Sequence, residues 1–290
     1  MKKALFSGVC TALVTPFIDG KINYPMLKIL LKRQIDAGIK AVVLCGTTGE
    51  APTLSDREKL EIFRIGKELA QDDCLIIAGT GSNSTAHTIE LSRAAEEIGV
   101  DGVLAVSPYY NKTNPDGIYA HYRSIAHSIH IPVILYNVPS RTGLDIPVSV
   151  YKELAKLPNI AGVKEASTDI TKISHIKNSC PADFSIWTGN DDMTVPTMAL
   201  GGQGVISVAS NVCPSEMLSM TTAALNEDFE SAGQIQCALQ PVIDLLFCDV
   251  NPIPVKAALN CIGYDCGGYR LPLTDLNAEK HNRIRNFFMS

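Results

Sequence analysis

Residues 132–166 read PVILYNVPSRTGLDIPVSVYKELAKLPNIAGVKEA, and their two ends differ in pattern from their middle. Pro132 to Asn137 is a short apolar, β-branched run, and Ile160 to Ala166 is another. Between them Pro147 to Leu157 carries the apolar spacing of an amphipathic helix. Strand, helix and strand in about 30 residues make one β/α unit, because two parallel strands need a crossover of at least a dozen residues.

The same unit recurs on both sides. Val9 to Thr15, Ala41 to Gly46, Cys74 to Thr80, Gly102 to Ser107, Phe184 to Gly189 and Val205 to Ala209 are further strand-like runs. Tyr24 to Ala37, Ser55 to Ala70, Thr85 to Ile98 and Gly117 to Ile129 are long enough to be crossover helices. Ser55-Asp56-Arg57-Glu58 has the spacing of a capping box. Eight consecutive units at intervals of about 20 to 33 residues predict an α/β fold, a (β/α)8 TIM barrel. The rival is a doubly wound sheet, but no G-x-G-x-x-G follows the first strand. Strands stop near Ser210; Ser215 to Leu225, Phe229 to Phe247, Pro254 to Ile262 and Asp275 to Phe287 are helical patterns. The expected organisation is a catalytic barrel over 1–225 and a C-terminal helical region over 226–290.

The composition fits a large packed interior. Of 290 residues 46% are hydrophobic and 19% charged, with a mean hydropathy of +0.12, which excludes a disordered chain. The net charge of −5 gives no field for nucleic acid or an anionic membrane, so neither is an expected partner. No apolar window reaches the roughly 18 residues of a membrane helix. Met1-Lys2-Lys3 and the apolar residues after them faintly imitate a secretory leader, but Ser7, Gly8 and Thr11 break the run, and a first strand is expected instead. Nine cysteines without a C-x-x-C signal neither disulfides nor zinc; buried thiols in a reducing cytoplasm are expected.

In a barrel of this kind catalytic groups sit at the C-terminal ends of strands. Lys164 closes an apolar strand there. It is either the partner of Glu165 in a structural ion pair or a desolvated amine ready to form a Schiff base with a carbonyl substrate. The preceding strand ends Ile134-Leu135-Tyr136-Asn137, and alternation puts Ile134 and Tyr136 on one face of it as Gly162 and Lys164 share a face of theirs. If both faces point inward, Tyr136 and Lys164 converge over the barrel mouth, where a phenol can shuttle protons or simply pack. Gly46-Thr47-Thr48-Gly49-Glu50 is a turn whose backbone N–H groups and hydroxyls can hold an anion, though most such turns only reverse the chain. Arg141, after the fifth strand, can grip a carboxylate with its planar fork or lie on the surface. Six histidines sit mostly in helical patterns and none ends a strand beside an acid, so no catalytic metal is expected. Asp191-Asp192 reads as helix capping rather than a cation site.

The motifs Gly46 to Glu50, Ser107-Pro108-Tyr109-Tyr110-Asn111-Lys112, Tyr136 to Gly143, Gly162-Val163-Lys164-Glu165-Ala166, Gly204-Val205-Ile206-Ser207-Val208 and Asn251-Pro252-Ile253-Pro254-Val255-Lys256 together resemble the dihydrodipicolinate synthase family over essentially the whole chain. The resemblance implies a barrel with a helical C-terminal region, assembled as a homotetramer of tight dimers. The implied reaction joins pyruvate to L-aspartate 4-semialdehyde on the route to diaminopimelate and lysine, with no redox or nucleotide cofactor. It implies that Lys164 is the Schiff-base lysine and Tyr136 the proton shuttle, with Thr47 and Tyr110 as its relay, Tyr110 acting in the neighbouring subunit. Thr48 matches the holder of the pyruvate carboxylate, Arg141 the group that meets the semialdehyde carboxylate, and Gly189 and Ile206 substrate-contacting and lysine-positioning backbone.

Related pyruvate aldolases, N-acetylneuraminate lyase and the 2-keto-3-deoxy sugar acid aldolases, share the lysine and tyrosine. They usually carry a different second loop and lack the arginine. A non-catalytic barrel that binds a keto acid would be expected to have lost Lys164 or Tyr136. Lysine-inhibited members of the family carry an effector site to which Asn83 and Tyr109 correspond here. His87 stands at that site's glutamate position, Asp56 and Lys59 replace its histidines, and Ala51-Pro52 alters the adjoining turn. The resemblance therefore implies weak or absent inhibition by lysine.

Overall fold

Strands covered on both faces must be apolar on both faces, and that is how the eight long runs fold. A computed structural model of the chain describes residues 4–289; Met1-Lys2-Lys3 and the outer ends of both expected regions lie outside the described residues. The strands are β1 (Gly8–Ala12), β2 (Phe17–Ile18), β3 (Lys21–Ile22), β4 (Ala41–Leu44), β5 (Leu75–Gly79), β6 (Gly102–Val106), β7 (Val133–Asn137), β8 (Ile160–Glu165), β9 (Ser185–Thr188) and β10 (Gly204–Ser207). β1 and β4 to β10 close into a parallel barrel, each pairing with its neighbour in sequence and β10 with β1. The (β/α)8 expectation holds.

The helices are α1 (Tyr24–Asp36), α2 (Asp56–Ala70), α3 (Thr85–Ile98), α4 (Pro115–Ser128), α5 (Pro139–Thr142), α6 (Val148–Leu154), α7 (Thr171–Ser179), α8 (Thr194–Ala199), α9 (Pro214–Leu225), α10 (Phe229–Leu246), α11 (Ile253–Cys261) and α12 (Ala278–Met289). The Ser55–Glu58 capping box forms with both of its reciprocal bonds. Two small departures have local causes. β1 stops at Ala12 rather than Thr15 because side chains take over the backbone: the Val14 N–H donates to Asn211 Oδ1, and the Thr15 hydroxyl donates to the Gly49 carbonyl. The chain then turns into the β2–β3 hairpin, which no alternating run announces.

Cys10, Ile77, Leu104, Ile134, Tyr136, Trp187 and Ile206 fill the barrel interior, while a larger cluster seals the strands against the helices. The register places Tyr136 beside Lys164 and Lys164 beside Trp187. Gly162, two residues before Lys164, is required by the approach of β9: a Cβ there would lie 2.0 Å from the Ser185 carbonyl oxygen. All nine cysteines are free. The expectation of buried thiols needs correction, because Cys237 is exposed on α10 and Cys180, Cys213, Cys248 and Cys261 are only partly covered. Among the described residues no helix is long and apolar enough to cross a membrane.

Beyond α10 the chain returns to the barrel and clasps the loop after β4. Lys256 of α11 and Glu50 form an ion pair at 2.8 Å with both side chains fully buried. Arg270 bonds bidentately to Glu58 and also donates to the Thr53 carbonyl.

Candidate active site

β7 and β8 supply the two central groups. Lys164 is 5% exposed and Tyr136 6%, and the lysine Nζ lies 4.4 Å from the centroid of the tyrosine ring. Gly189, just after β9, leaves room for the lysine stem: a Cβ there would sit 2.8 Å from Lys164 Cε and 2.7 Å from Ala166 Cβ. Ile206 belongs to the same interior cluster as Tyr136.

Glu165 is not the partner of Lys164. Successive residues of a strand face opposite ways, and Glu165 belongs to a separate buried network on the other face. Its Oε1 accepts from Asn137 Nδ2 at 2.7 Å, its Oε2 from the Tyr151 hydroxyl at 3.1 Å, and Lys172 Nζ lies 3.6 Å away. Asn137 also donates to Asp145, and Lys172 pairs with the same carboxylate. Of the two readings of Lys164, the structural ion pair is thus removed: among the described residues Lys164 makes no salt bridge.

The loop after β4 carries Thr47 and Thr48. Cys45 and Glu50, at its ends, both adopt left-handed backbone conformations (φ 55° and 56°), and the Glu50–Lys256 pair holds the second of these strained residues in place. Thr48 is 2% exposed and its Oγ1 accepts from Asn251 Nδ2 at 3.0 Å. Arg141 sits on the short helix α5, where its Nη2 donates to the Asn251 carbonyl at 3.2 Å.

A cleft of about 550 Å³ opens here, and its walls include Thr47, Tyr109, Tyr136 and Arg141 together with Asp56, Lys59 and His87. Lys164 adjoins it through the Tyr136 ring. The size suits small organic acids. Asp56 accepts from His87 Nε2 at 2.7 Å and lies 3.4 Å from Lys59 Nζ. Burial pushes the Asp56 carboxyl up, but the His87 bond and the neighbouring charges of His87 and Lys59 outweigh it and hold the group below its ordinary range.

Six predicted residues do not line this cleft: Lys164, Thr48, Gly189 and Ile206 lie behind its wall, and Tyr110 and Asn83 are turned elsewhere. Tyr110 is 92% exposed with φ 68°. Asn83 bonds through its carbonyl to the Asn111 amide instead. Asp191 behaves differently from the helix cap expected of it. It is 1% exposed, and its Oδ2 accepts from the backbone N–H groups of Val208 and Ala209, so it fixes the end of β10 rather than starting α8. Burial pushes its carboxyl up, against the hydrogen bonds from Ser207, Ala209 and Val208 and the charge of Lys164.

Asn251 and Lys256 belong to a motif that carries the resemblance, but the sequence reading assigns neither of them a role in the site. A signal was present, since Lys256 interrupts the otherwise apolar Ile253 to Leu259 as Lys164 interrupts its strand. Burial lowers the Lys256 pKa while the Glu50 charge opposes it.

Known proteins resemble this chain throughout. The sequence model of the Dihydrodipicolinate synthetase family matches residues 5–289. The 4-hydroxy-tetrahydrodipicolinate synthase of Acetivibrio thermocellus is 46% identical, over 98% of this chain and 96% of its own. The crystal structure of dihydrodipicolinate synthase from Aquifex aeolicus superposes with a TM-score of 0.96 at 40% identity, covering 98% of this chain and 97% of that one. A third, from Cyanidioschyzon merolae with lysine bound, gives a TM-score of 0.96 at 39% identity over 99% and 98% of the two chains.

Proposed function

The chain belongs to the dihydrodipicolinate synthetase family, and on that premise we propose that it is a lyase that condenses pyruvate with L-aspartate 4-semialdehyde through an imine on Lys164. The free amine of Lys164 attacks the ketone carbon of pyruvate and water leaves, giving an iminium that serves as an electron sink. A methyl proton departs and the enamine forms, with Tyr136 relaying protons through Thr47 and through Tyr110 of a neighbouring subunit. The enamine carbon attacks the aldehyde, whose oxygen is protonated to a hydroxyl. The amine of the same substrate then adds to the imine carbon and expels Lys164, closing 4-hydroxy-tetrahydrodipicolinate.

The observation that carries this reading is the pair Lys164–Tyr136: a lysine 5% exposed, free of any salt bridge among the described residues, 4.4 Å from the phenol ring centroid. Thr48 holds the pyruvate carboxylate and Arg141 that of the semialdehyde. Gly189 and Ile206 shape the space around the lysine. The sugar-acid lyases are the second reading, and the position of Arg141 in the cleft wall weighs against them. The exposure of Tyr110 supports assembly into a homotetramer in which it completes a neighbour's site. The enzyme works in the cytoplasm, where its free thiols stay reduced.

Borohydride reduction in the presence of pyruvate, followed by peptide mass mapping, tests the reading. One pyruvate-derived adduct on Lys164 is expected. Labelling elsewhere, or none, overturns the mechanism, and rapid cleavage of N-acetylneuraminate would move the assignment to the lyases.

A further inference from the structure

Asn251 joins the two elements to which the proposed function gives the substrate carboxylates. It is 8% exposed. Its side-chain Nδ2 donates to Thr48 Oγ1 at 3.0 Å, and its backbone carbonyl accepts from Arg141 Nη2 at 3.2 Å. Its Oδ1 is buried with no hydrogen-bond partner, so the amide is turned with its donor, not its acceptor, toward the threonine. The segment is held in this position: five residues on, Lys256 is paired with Glu50 of the Thr48 loop, and two residues on, the Ile253 carbonyl accepts from the Tyr269 hydroxyl at 2.8 Å.

A hydroxyl has one hydrogen to give. Because Asn251 donates into the Thr48 oxygen, that hydrogen is not spent on Asn251 and stays available for an anion. We propose that Asn251 is a positioning residue for pyruvate: its amide commits the Thr48 hydroxyl to donate to the incoming carboxylate, while its carbonyl separately steadies Arg141 for the second substrate. This rests on the reading that Thr48 meets pyruvate.

The two contacts come from different parts of Asn251, so side-chain variants should separate the substrates. Asn251→Ala releases the Thr48 hydroxyl and should raise the pyruvate KM several-fold. Asn251→Asp can only accept, draws the hydroxyl hydrogen to itself, and should lower kcat/KM for pyruvate by about 10- to 100-fold, the range for a lost hydrogen bond to a charged group. The KM for aspartate semialdehyde should stay within about twofold in both, since the carbonyl at 251 remains. In a Thr48→Val background the two Asn251 variants should become equivalent.

Asn251→Asp binding pyruvate as well as Asn251→Ala, or equal losses for both substrates, would overturn the proposal. So would a gap between Asp and Ala that persists in the Thr48→Val background, because that reports direct charge repulsion. If Asn251→Asp does not fold, the cycle of Thr48→Val, Asn251→Ala and their double suffices: non-additive losses are expected, and additive ones refute the coupling. Borohydride trapping of the wild type is run alongside, and its failure would count against the function rather than against Asn251.

Discussion

Lys164 and Glu165 are adjacent in the chain and serve opposite faces of one strand, the lysine beside Tyr136 in the barrel interior and the glutamate bonded to Asn137 and Tyr151 outside it. Their substitutions should therefore fail differently. Lys164→Ala should lose nearly all activity and all pyruvate trapping while unfolding like the wild type, because the site lies at the barrel mouth. Glu165→Ala leaves Lys172 paired with Asp145 but strands the buried Tyr151 hydroxyl, and should cost about 1–3 kcal/mol of stability. Denaturant titrations paired with turnover assays check both; a destabilised Lys164→Ala or an unaffected Glu165→Ala contradicts the division of labour.

Arg141 presents a planar donor fork at the cleft wall. Arg141→Ala should raise the KM for aspartate semialdehyde far more than that for pyruvate, with a loss on the order of 2–5 kcal/mol in kcat/KM if the pair is well desolvated. Steady-state kinetics with each substrate varied in turn decide the matter, and equal effects on the two would reject the role.

The buried pair Lys256–Glu50 makes a stability prediction with a built-in control. Lys256→Met alone strands a buried carboxylate and should cost about 3–5 kcal/mol, whereas Lys256→Met with Glu50→Gln should recover a substantial part of it. Thermal or chemical unfolding of the three proteins measures this. A double variant no better than the single one would mean that the pair's packing against Phe17 and Tyr269, 4.4 and 4.9 Å from the ammonium, outweighs its charge.

His121 is 4% exposed, and burial lowers its pKa to about 4. Unfolded, the same ring titrates near ~6.5. Between those values the unfolded chain binds a proton that the folded one refuses, so stability rises with pH across the window and falls as acid is added. The total for this group is about 3 kcal/mol. Urea midpoints measured from pH 7 to pH 4 should fall less steeply in His121→Gln than in the wild type. Parallel curves would remove His121 as the cause.

Much of this was legible beforehand, and for a physical reason. A parallel strand buried on both faces writes itself as an apolar run, so all eight barrel strands could be read to within a few residues, and a charged residue closing such a run, as Lys164 does, stands out. Contacts that join distant parts of the chain leave no such trace. Asn251 lies 203 residues from Thr48, and Arg270 212 from Glu58, so no local spacing pairs them, even though Thr48 and Asn251 both stand in motifs that carry the resemblance. Helix-start logic also misassigned Asp191, whose acceptors are needed by backbone groups 17 and 18 residues further on.

The cluster of Asp56, Lys59 and His87 in the cleft wall bears on control by L-lysine, the ligand named in the Cyanidioschyzon merolae structure. By the resemblance, a lysine effector needs a carboxylate for its α-ammonium, and His87 occupies that place. Among the described residues that line the cleft Asp56 is the one acid, but it is already engaged by His87 at 2.7 Å and Lys59 at 3.4 Å. The effector's ammonium would therefore enter a site whose acid is already engaged by His87 and Lys59. An unpaired ammonium at a desolvated position forfeits roughly 2–5 kcal/mol, and each 1.4 kcal/mol is about tenfold in affinity. Inhibition by L-lysine should thus be weak or absent. Titrating lysine at a fixed, subsaturating pyruvate concentration measures it, and half-inhibition below about 1 mM, corresponding to roughly −4.1 kcal/mol of binding, contradicts the argument. His87→Glu should increase sensitivity by restoring an acid and by freeing Asp56, and a variant as insensitive as the wild type would place the barrier elsewhere, at Lys59 or at the Ala51-Pro52 turn.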